Sequence, residues 1–104
     1  MTTSSKSDAK KFLERLRGGP LTFGRMLESI RITDEIPQAE LARRLEISRA
    51  QLCDIEKGRR HVRAERAAQF AQALGYSVNQ FVAVALEDEL RKVGLKVRVR
   101  LDAV

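Results

Sequence analysis

A helical spacing of apolar residues, cut into short segments, is the feature that most constrains this chain. Phe23, Met26, Leu27 and Ile30 lie at positions i, i+3, i+4 and i+7, so they share one face of a helix. The same spacing returns in four further segments, and residues that stop or start helices separate them. The pattern therefore predicts an all-α fold built from five short helices.

The predicted helix boundaries follow from caps and breakers. Pro37 disfavours helical geometry at the residue before it, so a turn is expected between the first two helices. Two capping-box pairs open later helices and two glycines close them: Ser48 with Gln51, Ser77 with Gln80, Gly58 and Gly75. The residues expected to face the core are Leu41, Ala42, Leu45, Ile47, Leu52, Ile55, Ala67, Phe70, Ala71, Leu74, Val78, Phe81 and Ala85.

Both ends of the chain differ from this bundle. Residues 1–20 are expected to form a flexible tail with one short helix over Ala9–Arg17, residues 21–81 the main helical domain, and residues 82–104 an interaction segment. After Gly94 the apolar period changes to two, which predicts a β-strand over Leu95–Leu101. No other segment alternates, so this strand is expected to pair between chains, with its own copy or with another protein.

The last predicted helix carries two apolar stripes, and a surface helix of a small domain needs one. We therefore expect the second stripe and the strand to form a homodimer interface. Its predicted residues are Val82, Leu86, Leu90, Val93, Leu95, Val97, Val99 and Leu101.

Composition limits the function. The 104 residues include 20 Lys+Arg against 14 Asp+Glu, and the net charge of +6 favours a polyanion or an acidic partner. A single cysteine and a single histidine predict no disulfide, no metal site and no cofactor, so an enzyme is not expected. The longest apolar run, Phe81–Leu86, is too short to span a membrane, and no signal peptide is recognisable, so a cytoplasmic protein is expected.

The segment Gln38–Gly58 has the spacing of a helix-turn-helix, in which two short helices are joined by about three residues. Ala42 is small where the two helices must cross. Arg49, Ala50, Cys53 and Asp54 would lie on the outer face of the second helix, which could enter a DNA major groove.

The same segment resembles the XRE family of phage-repressor and Cro-like regulators. The resemblance rests on the motif QxxLAxxLxISxxxLxxIExG over 38–58 and on ALGYSVNQF over 73–81, and it covers roughly Phe23–Phe81. It implies a five-helix lambda-repressor-like bundle that binds operator DNA as a twofold dimer. It also implies a homodimeric repressor of an inverted repeat, or alternatively an antitoxin whose C-terminal strand neutralises a toxin protein.

The resemblance further implies roles for individual residues. The expected base contacts are Arg49, Ala50, Gln51, Cys53 and Asp54, and the expected phosphate contacts are Gln38, Arg43, Ser48, Lys57, Arg59, Arg60 and Arg63. Arg49 can donate two hydrogen bonds to guanine. Asp54 either accepts from cytosine or pairs with Arg49 or Lys57. The sequence departs from the family pattern at Pro37, Glu46 and Arg63, where a cap, a glycine and a second cap are common.

Overall fold

The computed structural model describes residues 21–102, and within them the chain forms five α-helices. They are α1 (Phe23–Thr33), α2 (Gln38–Leu45), α3 (Arg49–Glu56), α4 (Ala64–Leu74) and α5 (Val78–Lys92). The predicted all-α bundle of five helices is confirmed. The predicted helix over Ala9–Arg17 lies outside the described residues. None of the five helices is long and apolar enough to cross a membrane.

The predicted apolar stripes meet in one core. Ten of the thirteen residues expected to face the core are buried, and Leu41, Leu52 and Phe81 are buried almost completely. Leu74, Val78 and Ile47 are partly buried at the edge of this core. The Phe23 ring contacts the Phe81 ring edge-on, with centroids 5.7 Å apart, so that α1 and α5 share aromatic packing.

The turn between α2 and α3 is set by local backbone chemistry. Ser48 forms the predicted capping box with Gln51, in which each side chain bonds the backbone of the other residue. Glu46 ends α2 in the left-handed conformation, with φ of 59°, where glycine is common. Pro37 offers α2 no side-chain cap. The capping box and the left-handed residue together shape the turn of the helix-turn-helix arrangement.

A glycine allows α1 to pack against the end of α3. A Cβ atom added to Gly24 would lie 2.0 Å from the Ile55 carbonyl oxygen, a distance that real side chains do not show. The backbone of α1 therefore approaches α3 more closely than any other residue type would permit.

The N-terminal end of α1 is fixed by α5. The Phe23 backbone N–H donates a 2.8 Å hydrogen bond to Asp88 Oδ2, and Arg91 donates to Oδ1 of the same carboxylate. Burial raises the pKa of Asp88, against the opposing effects of the Phe23 N–H and the Arg91 charge. Asp88 therefore caps a helix that lies 65 residues earlier in the sequence.

The predicted strand over Leu95–Leu101 is not formed, and this expectation is corrected. Residues 95–102 form neither helix nor strand, and no strand is present anywhere among residues 21–102. The Val99 N–H donates instead to Glu87 Oε2 at 2.9 Å, and the Asn79 amide donates to the Leu101 carbonyl at 3.3 Å. Because one chain offers no second strand, the segment takes side-chain partners on α5.

The close approach at Gly24 leads to a prediction about stability. Gly24→Ala should lower the free energy of unfolding by about 2 kcal/mol or more, because the backbone of α3 cannot move away cheaply. Thermal unfolding followed by circular dichroism should show a melting temperature lower by roughly 10 °C. Arg25→Ala, on the exposed side of the same helix, is the control and should change stability by less than about 0.5 kcal/mol. Equal melting temperatures for the two variants would contradict this packing.

Candidate nucleic-acid interface

The outer face of α3 is open to solvent. Arg49 and Ala50, the first two residues of the helix, are exposed, whereas Gln51, Cys53 and Asp54 are partly buried. Leu52 and Ile55 point the other way and are buried in the core. All five predicted base-contact residues therefore belong to α3. The buried apolar side of this helix fixes its orientation, and so fixes the direction that its outer face takes.

The first residues of α2 and α3 are joined by a side-chain hydrogen bond. Arg49 Nε donates to Gln38 Oε1 at 3.2 Å. The Gln38 amide nitrogen donates in turn to Glu56 Oε1 at 3.1 Å. A predicted base-contact residue and a predicted phosphate-contact residue thus lie side by side at the start of the two helices.

Glu56 is a buried carboxylate, with 7% of its surface exposed, and its partner is Arg31. Arg31 donates through Nε to Oε2 at 2.7 Å and through a terminal nitrogen to Oε1 at 3.1 Å. The hydrogen bonds to Glu56 raise the pKa of Arg31, so the guanidinium remains charged. This fork joins α1 to the last residue of α3.

Asp54 pairs with a residue that the sequence analysis did not assign to it. Arg59 Nε donates to Asp54 Oδ1 at 3.1 Å, and the expected pairs with Arg49 or Lys57 are not formed. The Asp54 carbonyl also accepts the backbone N–H groups of Arg59 and Arg60. The pairing follows from the tight turn at Gly58, which folds the chain back onto the last turn of α3.

On α2, one carboxylate holds two cations. Glu40 accepts hydrogen bonds from Arg43 at 2.6 Å and from Arg44 at 2.9 Å. The hydrogen bond from Arg43, followed by that from Arg44, lowers the pKa of Glu40 to about 2. Arg43 is therefore tethered along its own helix but keeps 72% of its side chain exposed.

The segment after α3 adds further cations beside the helix. Gln51, Arg60, Arg63 and Arg66 line one cleft of about 330 Å³ between α3 and the start of α4. Arg63 precedes α4 without forming a side-chain cap, and Arg66 lies over the Phe70 ring, 5.4 Å from its centroid. Lys57 and Arg59 are exposed just beyond the end of α3.

Ser48 and Gln51 are both engaged in the capping box. The Ser48 hydroxyl accepts from the Gln51 N–H, and the Gln51 side-chain oxygen accepts from the Ser48 N–H. The capping box uses only the oxygen of the Gln51 carboxamide, so the nitrogen can still donate hydrogen bonds to a partner.

The predicted dimer residues divide into two groups. Val82, Leu86, Leu90 and Val99 are partly buried within the single chain. The more exposed ones follow the end of α5: Val93 at 72%, Leu95 at 51%, Val97 at 48% and Leu101 at 36%.

Two polar residues that organise this region, Glu56 and Asp88, were not predicted from the sequence. Both were overlooked because their partners, Arg31 and the Phe23 N–H, lie 25 and 65 residues away. Glu56 follows the apolar Ile55 inside the motif over residues 38–58. Its place in that motif was the only sequence signal for a structural role. Among residues 21–102 no group of three or more His, Cys, Asp or Glu side chains could hold a metal ion.

Two short helices crossing over the core, with the second presenting a polar face flanked by cations, define a helix-turn-helix DNA-binding domain. A comparison with protein-family models matches residues 27–81 to the family described as Helix-turn-helix. The chain belongs to the XRE-type helix-turn-helix family, a family of DNA-binding transcription regulators and not of enzymes. No curated protein and no solved structure matches the chain.

Glu40, Arg43 and Arg44 form an ion-pair cluster on α2, the α2 cluster, which leads to a prediction about pH. The folded-state pKa of Glu40 is lowered to about 2, so the ion pairs are complete above its ordinary value near 4.5 and are lost as the pH falls through about 2. A carbon-detected NMR titration of the Glu40 carboxyl should find this low midpoint. In Arg43→Gln/Arg44→Gln the midpoint should rise toward the ordinary value. An ordinary midpoint in the unmodified protein would contradict the observed pairing.

Proposed function

We propose that this protein is a sequence-specific transcription repressor that binds an inverted-repeat operator as a homodimer. The proposal is carried by the hydrogen bond between Gln38 and Arg49, which sets an exposed guanidinium at the start of α3. In this proposal α3 enters the major groove, and Arg49 donates two hydrogen bonds to a guanine. Ala50, Gln51, Cys53 and Asp54 contact the neighbouring base edges.

Charge supports the same surface. Within residues 21–102, the acidic groups of α2 and α3 are occupied by arginines: Glu40 by Arg43 and Arg44, Asp54 by Arg59, and Glu56 by Arg31. Lys57, Arg60 and Arg63 have no acidic partner in that part of the chain, so their charges remain available for phosphates. Phosphate contacts are proposed for these three and for Gln38, Arg43, Ser48 and Arg59.

We propose that Asp54 both pairs with Arg59 and contacts a base. Its carboxylate keeps a second oxygen beyond the one that accepts from Arg59, and a carboxylate can accept from a cytosine amino group. Because Arg59 neutralises the charge, Asp54 does not repel the DNA backbone as an unpaired acid would.

A selection from random duplexes tests the base-reading role of α3. The unmodified protein should enrich an inverted repeat whose half-sites lie about 34 Å apart, one helical turn. Arg49→Ala should reduce the preference for one base pair in each half-site by roughly tenfold, because the two-bond contact to guanine is lost.

Lys57→Ala is the matched control for that experiment. It should weaken binding to all duplexes alike and lower the slope of log affinity against log salt by about 1, because it removes one phosphate contact. Full discrimination by Arg49→Ala would show that another residue reads this base pair.

We propose that the second copy of the chain covers the exposed apolar segment after α5. Val93, Leu95, Val97 and Leu101 lie at and after the end of α5, and each leaves more than a third of its surface exposed in one chain. The partly buried residues Val82, Leu86, Leu90 and Val99 complete the proposed interface. Apolar patches of this kind mark interaction sites on small domains.

Sedimentation equilibrium tests the dimer. The unmodified protein should have twice the chain mass at micromolar concentration, and Val97→Asp should weaken association at least about tenfold, because a charge replaces buried apolar surface. Lys96→Asp is the control, because it introduces the same residue at the neighbouring exposed position. A monomeric unmodified protein would contradict the homodimer.

The alternative role is that of an antitoxin, in which the segment after α5 adds to the sheet of a toxin protein. Its support is the alternation of apolar and charged residues in this segment, which α5 holds through hydrogen bonds at Val99 and Leu101. Loss of a copurifying protein on removal of residues 95–104, with the dimer intact, would favour this role over self-association.

A further inference from the structure

We propose that the buried carboxylate of Glu56 is a positioning residue that orients Arg49 through the side-chain amide of Gln38. This inference rests on the proposed function, in which Arg49 reads a base. Arg49 is the first residue of α3 and Glu56 is the last. Gln38 bonds both of them, so it connects the exposed start of the helix to its buried end.

Four side chains form one continuous path. Arg31 donates to Glu56 at 2.7 Å and 3.1 Å, Gln38 donates to Glu56 at 3.1 Å, and Arg49 donates to Gln38 at 3.2 Å. The side chain of Glu56 is only 3% exposed and that of Arg31 18%. The path therefore starts at a fixed, buried ion pair and ends at an exposed guanidinium.

The two neighbours of Gln38 fix which way its side-chain amide faces. A glutamine side chain has one end that accepts and one end that donates, whereas an ionised glutamate only accepts and an arginine only donates. A single orientation of the Gln38 amide satisfies both neighbours. The flipped amide would face its oxygen toward the Glu56 carboxylate and its NH₂ group toward the Arg49 guanidinium. Glu56 thus determines that Arg49 meets an acceptor.

The orientation of Gln38 in turn selects how Arg49 can bind. Because Nε donates to Gln38, the two terminal nitrogens are the pair left to donate to guanine O6 and N7. An approach through Nε and one terminal nitrogen would require the contact to Gln38 to break. Holding the long side chain before binding also lowers the ordering cost that the complex must offset.

Gln38→Met is the sharpest test, because methionine keeps the length of the side chain and removes both hydrogen bonds while leaving the Arg31–Glu56 pair in place. Affinities are measured for duplexes that differ only at the base pair read by Arg49. Discrimination should fall about fivefold, the effect of one lost hydrogen bond. The control Lys57→Ala should lower affinity for every duplex and keep the discrimination ratio.

Glu56→Gln supplies an independent variant that keeps the shape of the side chain. An amide at this position can present either end to Gln38, so the fixed orientation is lost and discrimination should fall in the same way. Should this variant fail to fold, Gln38→Met and the measurement below still decide the proposal.

A measurement without DNA reports the orientation directly. Hydrogen exchange of the Arg49 Nε–H, followed by ¹⁵N NMR, should be slow in the unmodified protein and several-fold faster in Gln38→Met, because the hydrogen-bond acceptor is missing. Unchanged exchange would overturn the proposal.

A double-mutant cycle separates positioning from a general structural effect. Gln38→Met added to Arg49→Ala should cause no further loss of discrimination, since Gln38 acts on this base pair only through Arg49. An additive loss would overturn the proposal.

The outcomes also separate this inference from the proposed function. If the unmodified protein discriminates but Gln38→Met keeps full discrimination, the positioning role alone is overturned. If the unmodified protein shows no base preference and no salt-dependent binding, the proposed function is overturned and the inference with it.

Discussion

The third helix contains only eight residues, and an isolated helix of that length is not stable in water. Its position and orientation must therefore be fixed by contacts with the rest of the domain. Leu52 and Ile55 anchor it in the core, the Ser48 capping box closes its first turn, and the Arg31–Glu56 pair fixes its last residue. The absence of a side chain at Gly24 lets α1 approach closely enough to support it.

The polar side of the same helix depends on how charges are distributed around it. Removing one partner of a buried ion pair costs several kcal/mol, about 3 to 5, so the Arg31–Glu56 pair is a fixed element and not an adjustable surface contact. The exposed pairs between Asp54 and Arg59 and within the α2 cluster contribute much less to stability. Their effect is to neutralise acidic groups on a surface that we propose to face phosphates.

Much of the fold could be predicted from the sequence because its signals are local. The cap at Ser48 and the helix stop at Gly75 depend on a few neighbouring residues, and both are observed. Membership of the XRE-type family followed from a motif that occupies one continuous stretch.

The remaining features depend on contacts between distant residues. The ion pair of Glu56 with Arg31 and the capping of Phe23 by Asp88 join separate helices, and no local pattern marks them. The strand expected over Leu95–Leu101 is not formed within the single chain, for a related reason. Alternation indicates an extended segment, but a strand also needs a paired neighbour, and residues 21–102 contain none.

The central claim is that the outer face of α3 and the cations that follow it contact DNA. NMR titration of the isotope-labelled protein with its selected duplex tests this most directly, because it reports each backbone amide separately. The account predicts that the largest shifts fall on residues 48–54 and 57–63, with little change at the start of α5. Shifts confined to α5, or none on the outer face of α3, would contradict it.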